Sequence, residues 1–257
     1  MSYIDAIVLG IVQGLTEFLP VSSSGHLVLA QKLLGVKQAG VTFEVLVHLG
    51  SLVAVLIYFR AKIWLLIKSL FVSEHYAYRK VVLFLIVGTI PAVIVGFSLR
   101  DFFEQSFSSP VLASSMLIVT GAILLSTRFV RKSSRNVNLA AAIIMGIGQA
   151  ISILPGISRS GTTIASGMLW GVDPSEAAEF SFLLSIPAIA GAVVLNSKKL
   201  LALDPHLAGQ YLVGTLSAFI FALLAVYTVL AVVRRGKFEY FAYYCFAAGL
   251  LGLYLFL

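Results

Sequence analysis

Six apolar stretches of this chain are each long enough to cross a lipid bilayer as one helix. Because a helix rises about 1.5 Å per residue, crossing about 30 Å of hydrocarbon takes about 20 residues. The six stretches are residues 43–60, 80–99, 111–129, 178–196, 210–233 and 239–257. Only 11% of the residues are charged, whereas soluble domains carry about 25%. The sequence therefore predicts an all-α polytopic membrane protein.

Two further apolar regions are interrupted by polar turns and are too short to cross the membrane twice. Residues 4–19 are followed by Pro20 and then by the short stretch 25–35. Residues 139–153 and 161–171 are separated in the same way by the segment PGISRSG. Each region predicts a re-entrant pair, in which two short helices enter the membrane and return to the same side. Irregular backbone at that depth is tolerated when it is buried in protein or lines a wet cavity.

The two interrupted regions resemble each other in sequence. The segment LGIVQGLTEFLPVSSSGH aligns with MGIGQAISILPGISRSGT at a constant offset of 136 residues. Identical residues pair Gly10 with Gly146, Gln13 with Gln149, Ser22 with Ser158, Ser24 with Ser160 and Gly25 with Gly161. We therefore expect one integral membrane domain, 1–257, built from two repeats, 1–136 and 137–257. Each repeat has one re-entrant pair and three transmembrane helices, and because three is odd, the second repeat is expected to have inverted topology.

The basic residues predict the orientation of this arrangement. Most of the 18 Lys and Arg residues fall on one face of the predicted topology, and such a face is normally cytoplasmic. The N-terminus and the mouth of the first re-entrant pair then face outward, while the second pair enters from the cytoplasm. The first basic residue, Lys32, lies too far along the chain for the basic region of a cleaved signal peptide.

Polar residues concentrate at the tips of the two re-entrant pairs. Glu17 lies one helical turn after Gln13, and a serine loop then leads to His26 at the start of the return helix. Arg159 lies at the facing tip, and arginine is suited to bidentate phosphate binding. An acid, a candidate hydroxyl nucleophile, an imidazole and a phosphate clamp together predict phosphoryl transfer, and Ser23 is favoured among the serines because its repeat equivalent is Arg159. The remaining candidates for substrate binding are Gln13, Ser22, Ser24, Gly25, Ser158, Ser160, Gly161, Thr162 and Thr163.

Other interpretations of these residues stay open at this point. Serines such as Ser22 and Ser24 often only cap helices, and Glu17 with Arg159 would also form a salt bridge that locks the repeats together. Inverted repeats with half-helices also suit an anion transporter or a lipid flippase. The Ser-x-x-His spacing beside Glu17 favours an enzyme, because binding alone does not require it. His48 is expected to pack rather than react, with a position near the site left open.

Two segments carry a family resemblance. QGLTEFLPVSSSGH and PGISRSGTT closely resemble the two signature segments of the bacterial undecaprenyl-diphosphatase family, the bacitracin-resistance type, and the resemblance covers nearly the whole chain. It implies removal of the terminal phosphate of undecaprenyl diphosphate at the outer face of the bacterial cytoplasmic membrane. This reaction regenerates the carrier lipid for peptidoglycan and other wall polymers. The resemblance also implies a divalent cation, Mg²⁺ or Ca²⁺.

The same resemblance assigns roles to individual residues. It places the family's acidic pair at Gln13 and Glu17, its serine at Ser23, its histidine at His26 and its phosphate-binding arginine at Arg159. Gln13 departs from the family, where this position is often Glu, so Glu17 alone would supply carboxylate to the metal. We expect attack by the serine with the histidine as its base, although either residue is a candidate to receive the phosphoryl group.

The expected partners follow from the same reasoning. They are undecaprenyl diphosphate as substrate and the surrounding membrane lipids, with bacitracin competing for the substrate. No nucleic acid is expected, because the basic residues lie between apolar runs and suit anionic lipid. A homodimer is left open.

Overall fold

The computed structural model describes residues 1–36, 40–72, 76–130, 134–196 and 205–257. This part of the chain is almost entirely helical. Its α-helices are α1 Tyr3–Phe18, α2 Ser23–Leu33, α3 Gly40–Tyr58, α4 Arg60–Phe71, α5 Tyr76–Ser98, α6 Arg100–Ser106, α7 Pro110–Ser126, α8 Leu139–Ile151, α9 Arg159–Leu169, α10 Pro174–Leu195, α11 Ala208–Arg234 and α12 Tyr240–Phe256. Single 3-10 turns lie at Thr127–Phe129 and Pro205–Leu207.

Four helices of the described chain are long and apolar enough to span a membrane. They comprise Tyr78–Ser98, Pro110–Phe129, Pro174–Leu195 and Ala208–Arg234. These ranges confirm, within a few residues, the predicted helices 80–99, 111–129, 178–196 and 210–233. Their outward-facing side chains are mostly large and apolar, as expected of surfaces that contact lipid.

The two remaining predicted spans also form helices, and the first of them continues into a bend that was not predicted. The helix predicted at 43–60 ends at Tyr58, and the chain bends by 76° into α4, so that the two helices form a bent pair. The helix predicted at 239–257 has 17 residues and is shorter than the other spans. Helix α4 was not predicted, because its lysines interrupt the apolar sequence. It has the composition of a helix at a membrane surface, with Lys68 over the ring of the exposed Trp64.

Both interrupted regions form the predicted pairs of short helices. Helices α1 and α2 are joined by a four-residue turn that contains Pro20, and α8 and α9 by the segment around Pro155. The return helices begin with equivalent caps. Ser22 Oγ accepts a hydrogen bond from the Gly25 amide at 3.3 Å, and Ser158 Oγ accepts one from the Gly161 amide at 3.0 Å. These bonds satisfy amides that the first helical turn leaves unpaired.

Each first short helix packs closely on a long helix. Helix α1 lies against α11, where a Cβ atom on Gly10 would collide with the carbonyl group of Gly214. Helix α8 lies against α5, where a Cβ on Gly146 would collide with the carbonyl of Gly88. Only glycine permits this backbone approach, which is common between membrane helices. The packing carries both polar turns into the centre of the bundle.

Candidate active site

The carboxylate of Glu17 is the centre of a buried polar cluster. Glu17 lies in the last turn of α1 and is 8% exposed. Its Oε2 atom accepts hydrogen bonds from Gln13 Nε2 at 2.8 Å and from Ser23 Oγ at 2.6 Å. Its Oε1 atom accepts a hydrogen bond from Arg159 Nη2 at 2.8 Å. The turn between α1 and α2 and the turn between α8 and α9, which were predicted to face each other, therefore contribute to one cluster.

Local structure places these side chains. Gln13 and Glu17 are one turn apart on α1, while Ser23 is the first residue of α2 and is carried back towards α1 by the turn. Arg159 is the first residue of α9, and its guanidinium lies over the Phe18 ring, 5.7 Å from the centroid. The hydroxyl of Ser160 donates to the Leu19 carbonyl at 3.1 Å and so joins one turn to the other.

Two atoms of this cluster are buried without a hydrogen-bond partner, namely Arg159 Nη1 and Gln13 Oε1. Buried polar atoms are nearly always paired in folded proteins, so an unpaired guanidinium N–H indicates a position where a ligand or water binds. Arg159 thus contacts Glu17 through Nη2, while its Nη1 has no hydrogen-bond partner. The ion pair between Glu17 and Arg159, one of the interpretations left open from the sequence, is present. Because it uses only Nη2, it leaves Nη1 of the arginine available for a phosphate.

His26 has different partners from those expected. Its Nδ1 atom is 2.8 Å from the Ser22 carbonyl oxygen, and its Nε2 atom is 2.8 Å from the hydroxyl of Tyr244 on α12. Among the hydrogen bonds of the described chain, the Ser23 hydroxyl donates to Glu17, not to His26. Glu17 is therefore placed to act as the base of Ser23, the role that sequence analysis gave to His26.

Two residues of this region were not assigned to the site from sequence. His48 on α3 was expected to pack, yet its Nε2 atom lies 3.7 Å from Glu17 Oε2, while its Nδ1 atom lies 2.7 Å from the Glu44 carbonyl. Tyr244 lies in sequence beside Tyr240 and Tyr243, a pattern that predicts an aromatic belt at the membrane interface. The one signal that pointed to His48 was a titratable residue within an apolar span, where such residues are usually functional.

The other sequence-predicted residues lie around the cluster in several settings. The hydroxyls of Ser22 and Ser24 are 3.3 Å apart, and those of Ser158 and Ser160 are also 3.3 Å apart. A Cβ on Gly25 would lie 2.9 Å from the Gly156 Cα, so the second turn packs on the first return helix.

The second pair of short helices has polar groups of its own. On α9, Thr163 hydrogen-bonds to Ser181 of α10, whereas Thr162 Oγ1 and both polar atoms of Gln149 are buried without partners.

A cavity of about 270 Å³ lies beside the cluster. Its polar wall includes Ser24, Gln31, Glu44 and His48, and Gln31 Nε2 donates to Glu44 Oε1 at 2.9 Å. The rest of the wall is largely apolar, from α2, α3, α6 and α10. Such a cavity suits a molecule with both a polar and an apolar part. A larger cavity of about 530 Å³, between α4, α5 and α10, is lined almost wholly by apolar side chains and lacks the groups of the cluster.

Comparison with known proteins identifies the family of this chain. Residues 6–251 match the family model described as bacitracin resistance protein BacA. The chain belongs to the BacA family. Relatives named undecaprenyl-diphosphatase include one from Carboxydothermus hydrogenoformans, which is 41% identical over an alignment 262 residues long. The alignment covers 99% of this chain and 98% of that protein. Another, from Methanobrevibacter smithii, is 42% identical and covers 98% of this chain and 96% of that protein. A third, from Salinibacter ruber, is 40% identical in an alignment that covers 99% of this chain and 100% of that protein.

The cluster in this BacA-family chain can be tested for its fit to a divalent cation. Among the described residues, no group of three His, Cys, Asp or Glu side chains converges as a metal cage. Magnesium, however, commonly binds through one or two carboxylates together with substrate phosphates and water. Glu17 supplies one carboxylate, and the amide oxygen Oε1 of its hydrogen-bonded neighbour Gln13 has no partner. The residues present therefore fit a cation that shares its coordination with a phosphorylated substrate.

Proposed function

We propose that this chain is an undecaprenyl-diphosphatase, which hydrolyses undecaprenyl diphosphate to undecaprenyl phosphate and inorganic phosphate. Family membership and the names of the full-length relatives support this activity. The observation that carries the chemistry is the 2.6 Å hydrogen bond from Ser23 Oγ to Glu17 Oε2. This contact supports Ser23 as the nucleophile and Glu17 as its base, beside an arginine whose Nη1 is unpaired.

Substrate binding in this proposal uses both tips. The unpaired Nη1 of Arg159 donates a hydrogen bond to the terminal phosphate, while Nη2 continues to donate to Glu17. Substrate binding therefore does not require the ion pair to break. The N-terminus of α2 adds a partial positive charge. The apolar wall of the adjacent cavity contacts the first isoprene units, and the rest of the tail lies among the lipids.

The first chemical step then transfers the terminal phosphoryl group to Ser23. The Ser23 oxygen forms a bond to the terminal phosphorus, and its proton passes to Glu17. The bond from that phosphorus to the bridging oxygen breaks, and undecaprenyl phosphate leaves. Water next attacks the phosphoserine, with His26 accepting a proton, and Glu17 returns its proton to the serine oxygen. Inorganic phosphate is released.

We include a divalent cation, Mg²⁺ or Ca²⁺, in this proposal. Glu17 and Gln13 would hold it, and it would neutralise charge on the phosphate oxygens when bound. His48 Nε2 lies 3.7 Å from Glu17 Oε2 and is thus a close neighbour of the carboxylate that would hold the cation. The proposal thus keeps Glu17 as the metal carboxylate and adds a base role that its contact with Ser23 supports.

We also infer inverted-topology repeats, 1–136 and 137–257, in the bacterial cytoplasmic membrane, with the site open to the outer face. Three observations support the repeats: the 136-residue sequence offset, the matching caps at Ser22 and Ser158, and the matching packing of α1 on α11 and of α8 on α5. Bacitracin resistance follows from faster removal of the lipid diphosphate for which bacitracin competes. A transporter is not favoured, because binding alone does not require the Ser23–Glu17 bond.

Phosphate release from undecaprenyl diphosphate tests the activity directly. The protein is purified in detergent and assayed with and without EDTA, beside Ser23→Ala. A matched control is Ser115→Ala, because within the described part of the chain the Ser115 hydroxyl on α7 donates to the Val111 carbonyl of its own helix and to no other group. We expect cation-dependent release by the wild type and by Ser115→Ala, and loss in Ser23→Ala. Absence of release by folded wild-type protein would overturn the proposal.

A further inference from the structure

Tyr244 and His26 form the only hydrogen bond between α12 and α2 that is recorded for the described residues. The two residues are 218 positions apart, and their rings stack with centroids 5.6 Å apart and planes 11° apart. Tyr244 is 49% exposed, and its hydrogen bond to His26 is the only one recorded for its hydroxyl among the described residues. The roles proposed for Ser23, Glu17 and Arg159 do not explain why His26 forms a hydrogen bond with Tyr244.

The two hydrogen bonds of His26 define its tautomer. A carbonyl oxygen only accepts hydrogen bonds, so the Nδ1 atom must carry a proton to bond to the Ser22 carbonyl. In the neutral ring, Nε2 then has the lone pair, and the Tyr244 hydroxyl donates to it. The basic nitrogen of His26 is therefore already occupied by the tyrosine hydroxyl, and a proton reaches Nε2 along its lone pair only through that hydroxyl.

We propose that Tyr244 is a further active-site residue that relays a proton to His26. The proposal deepens the phosphatase assignment and rests on it. As water attacks phosphoserine, the bond between phosphorus and the Ser23 oxygen breaks and the water proton passes to the Tyr244 oxygen. The tyrosine's own proton passes to His26 Nε2 at the same time, and Glu17 returns its proton to the serine oxygen. Inorganic phosphate leaves, and His26 then releases the extra proton to water.

A tyrosine hydroxyl is suited to this position because it both donates and accepts hydrogen bonds. It donates to Nε2 while His26 is neutral, and it accepts from Nε2–H once His26 is protonated. The contact therefore persists through both halves of the proton cycle. Phenylalanine retains the stacked ring but loses the relay, so Tyr244→Phe separates the hydroxyl from the packing of the side chain.

Steady-state kinetics of variants test the relay. Phosphate release is measured for wild type, His26→Gln, Tyr244→Phe and the double variant. The control is Tyr243→Phe, because Tyr243 is exposed and its ring contacts only Tyr240 among the recorded ring pairs. We expect His26→Gln and Tyr244→Phe each to lower kcat by at least about tenfold with KM changed less than about twofold, since general acid–base groups contribute about 10²- to 10⁴-fold. The double variant should be no slower than His26→Gln. Near-normal kcat in Tyr244→Phe, or losses that multiply, would overturn the relay.

Nitrogen NMR of the detergent-solubilised protein gives a readout that does not depend on activity. With ¹⁵N-labelled histidine, His26 is assigned by the signal lost in His26→Gln, and its Nδ1 is expected to be protonated. Tyr244→Phe should shift the Nε2 resonance and leave Nδ1 protonated, whereas Tyr243→Phe should change neither. If the wild type showed these signals but released no phosphate, the phosphatase assignment would fail while the hydrogen bond stood. An Nε2-protonated neutral ring would overturn the relay whatever the activity.

Discussion

At the scale of single residues, Glu17 contacts groups from four helices, α1, α2, α3 and α9. It accepts hydrogen bonds from Gln13, Ser23 and Arg159 and lies near His48. A carboxylate in so buried a place needs this compensation, because an unpaired charge at membrane depth is costly. The role proposed for Glu17 as the base of Ser23 depends on one of these same contacts. Structure and chemistry therefore depend on one side chain.

Replacing Glu17 by Gln tests the base. The amide keeps the size of the side chain but cannot accept the Ser23 proton, so phosphate release is expected to fall by about 10²- to 10⁴-fold. Asp101→Asn is the control, because Asp101 is an exposed carboxylate on α6. Activity of Glu17→Gln within a few-fold of wild type would show that Ser23 is activated by another group.

Replacing Arg159 by Lys tests the two-sided role of the guanidinium. A lysine ammonium is a point charge and cannot hold the planar, forked contacts of arginine to Glu17 and to a phosphate together. We expect KM to rise by at least about tenfold, since a charge-assisted hydrogen bond contributes about 1.5–3 kcal/mol. The measurement is substrate dependence of phosphate release. An unchanged KM would remove Arg159 from substrate binding.

Replacing Gln13 by Glu tests the proposed cation. Gln13 Nε2 now donates to Glu17 Oε2 at 2.8 Å, and a second carboxylate there would repel the first unless a cation or proton lies between them. We expect Gln13→Glu to reach half-maximal activity at a Mg²⁺ concentration lower by about tenfold. Titration of EDTA-treated protein with Mg²⁺ measures this. No change in the titration would place the cation away from these two residues.

At the scale of helices, the contact of α1 with α11 positions Glu17. The contact requires glycine at position 10, where a Cβ would meet the Gly214 carbonyl. Helices α8 and α5 meet in the same manner at Gly146. The long helices therefore determine how deep the polar turns lie.

Gly10→Ala is expected to destabilise the fold, because overpacking typically costs about 1–3 kcal/mol. Gly191→Ala is the matched control on a helix, because nothing lies within 4 Å of an added Cβ at Gly191. Thermal unfolding in detergent should show a lower Tm for Gly10→Ala by several degrees and no loss for Gly191→Ala. Equal Tm values would show that α1 and α11 can move apart to accommodate the added methyl group without loss of stability.

At the scale of the whole molecule, the proposed topology predicts which segments face which side. Single cysteines are introduced as Ser2→Cys and Ser134→Cys in a Cys245→Ser background, which removes the buried native thiol. A membrane-impermeant maleimide should label Ser2→Cys in intact cells and Ser134→Cys only after the membrane is permeabilised. Labelling of both from the same side would contradict the inverted arrangement.

The sequence by itself determined the membrane class, four of the spans, the two interrupted helices and the residues at their tips. These features depend on composition and on neighbours within a few residues, such as the caps at Ser22 and Ser158. Only the tertiary structure decided that Glu17 rather than His26 receives the Ser23 hydroxyl, and that His48 and Tyr244 join the region. It also decided the bend after Tyr58. Helix packing brings residues 218 positions apart within hydrogen-bond distance, and no local pattern records which side chains will then meet.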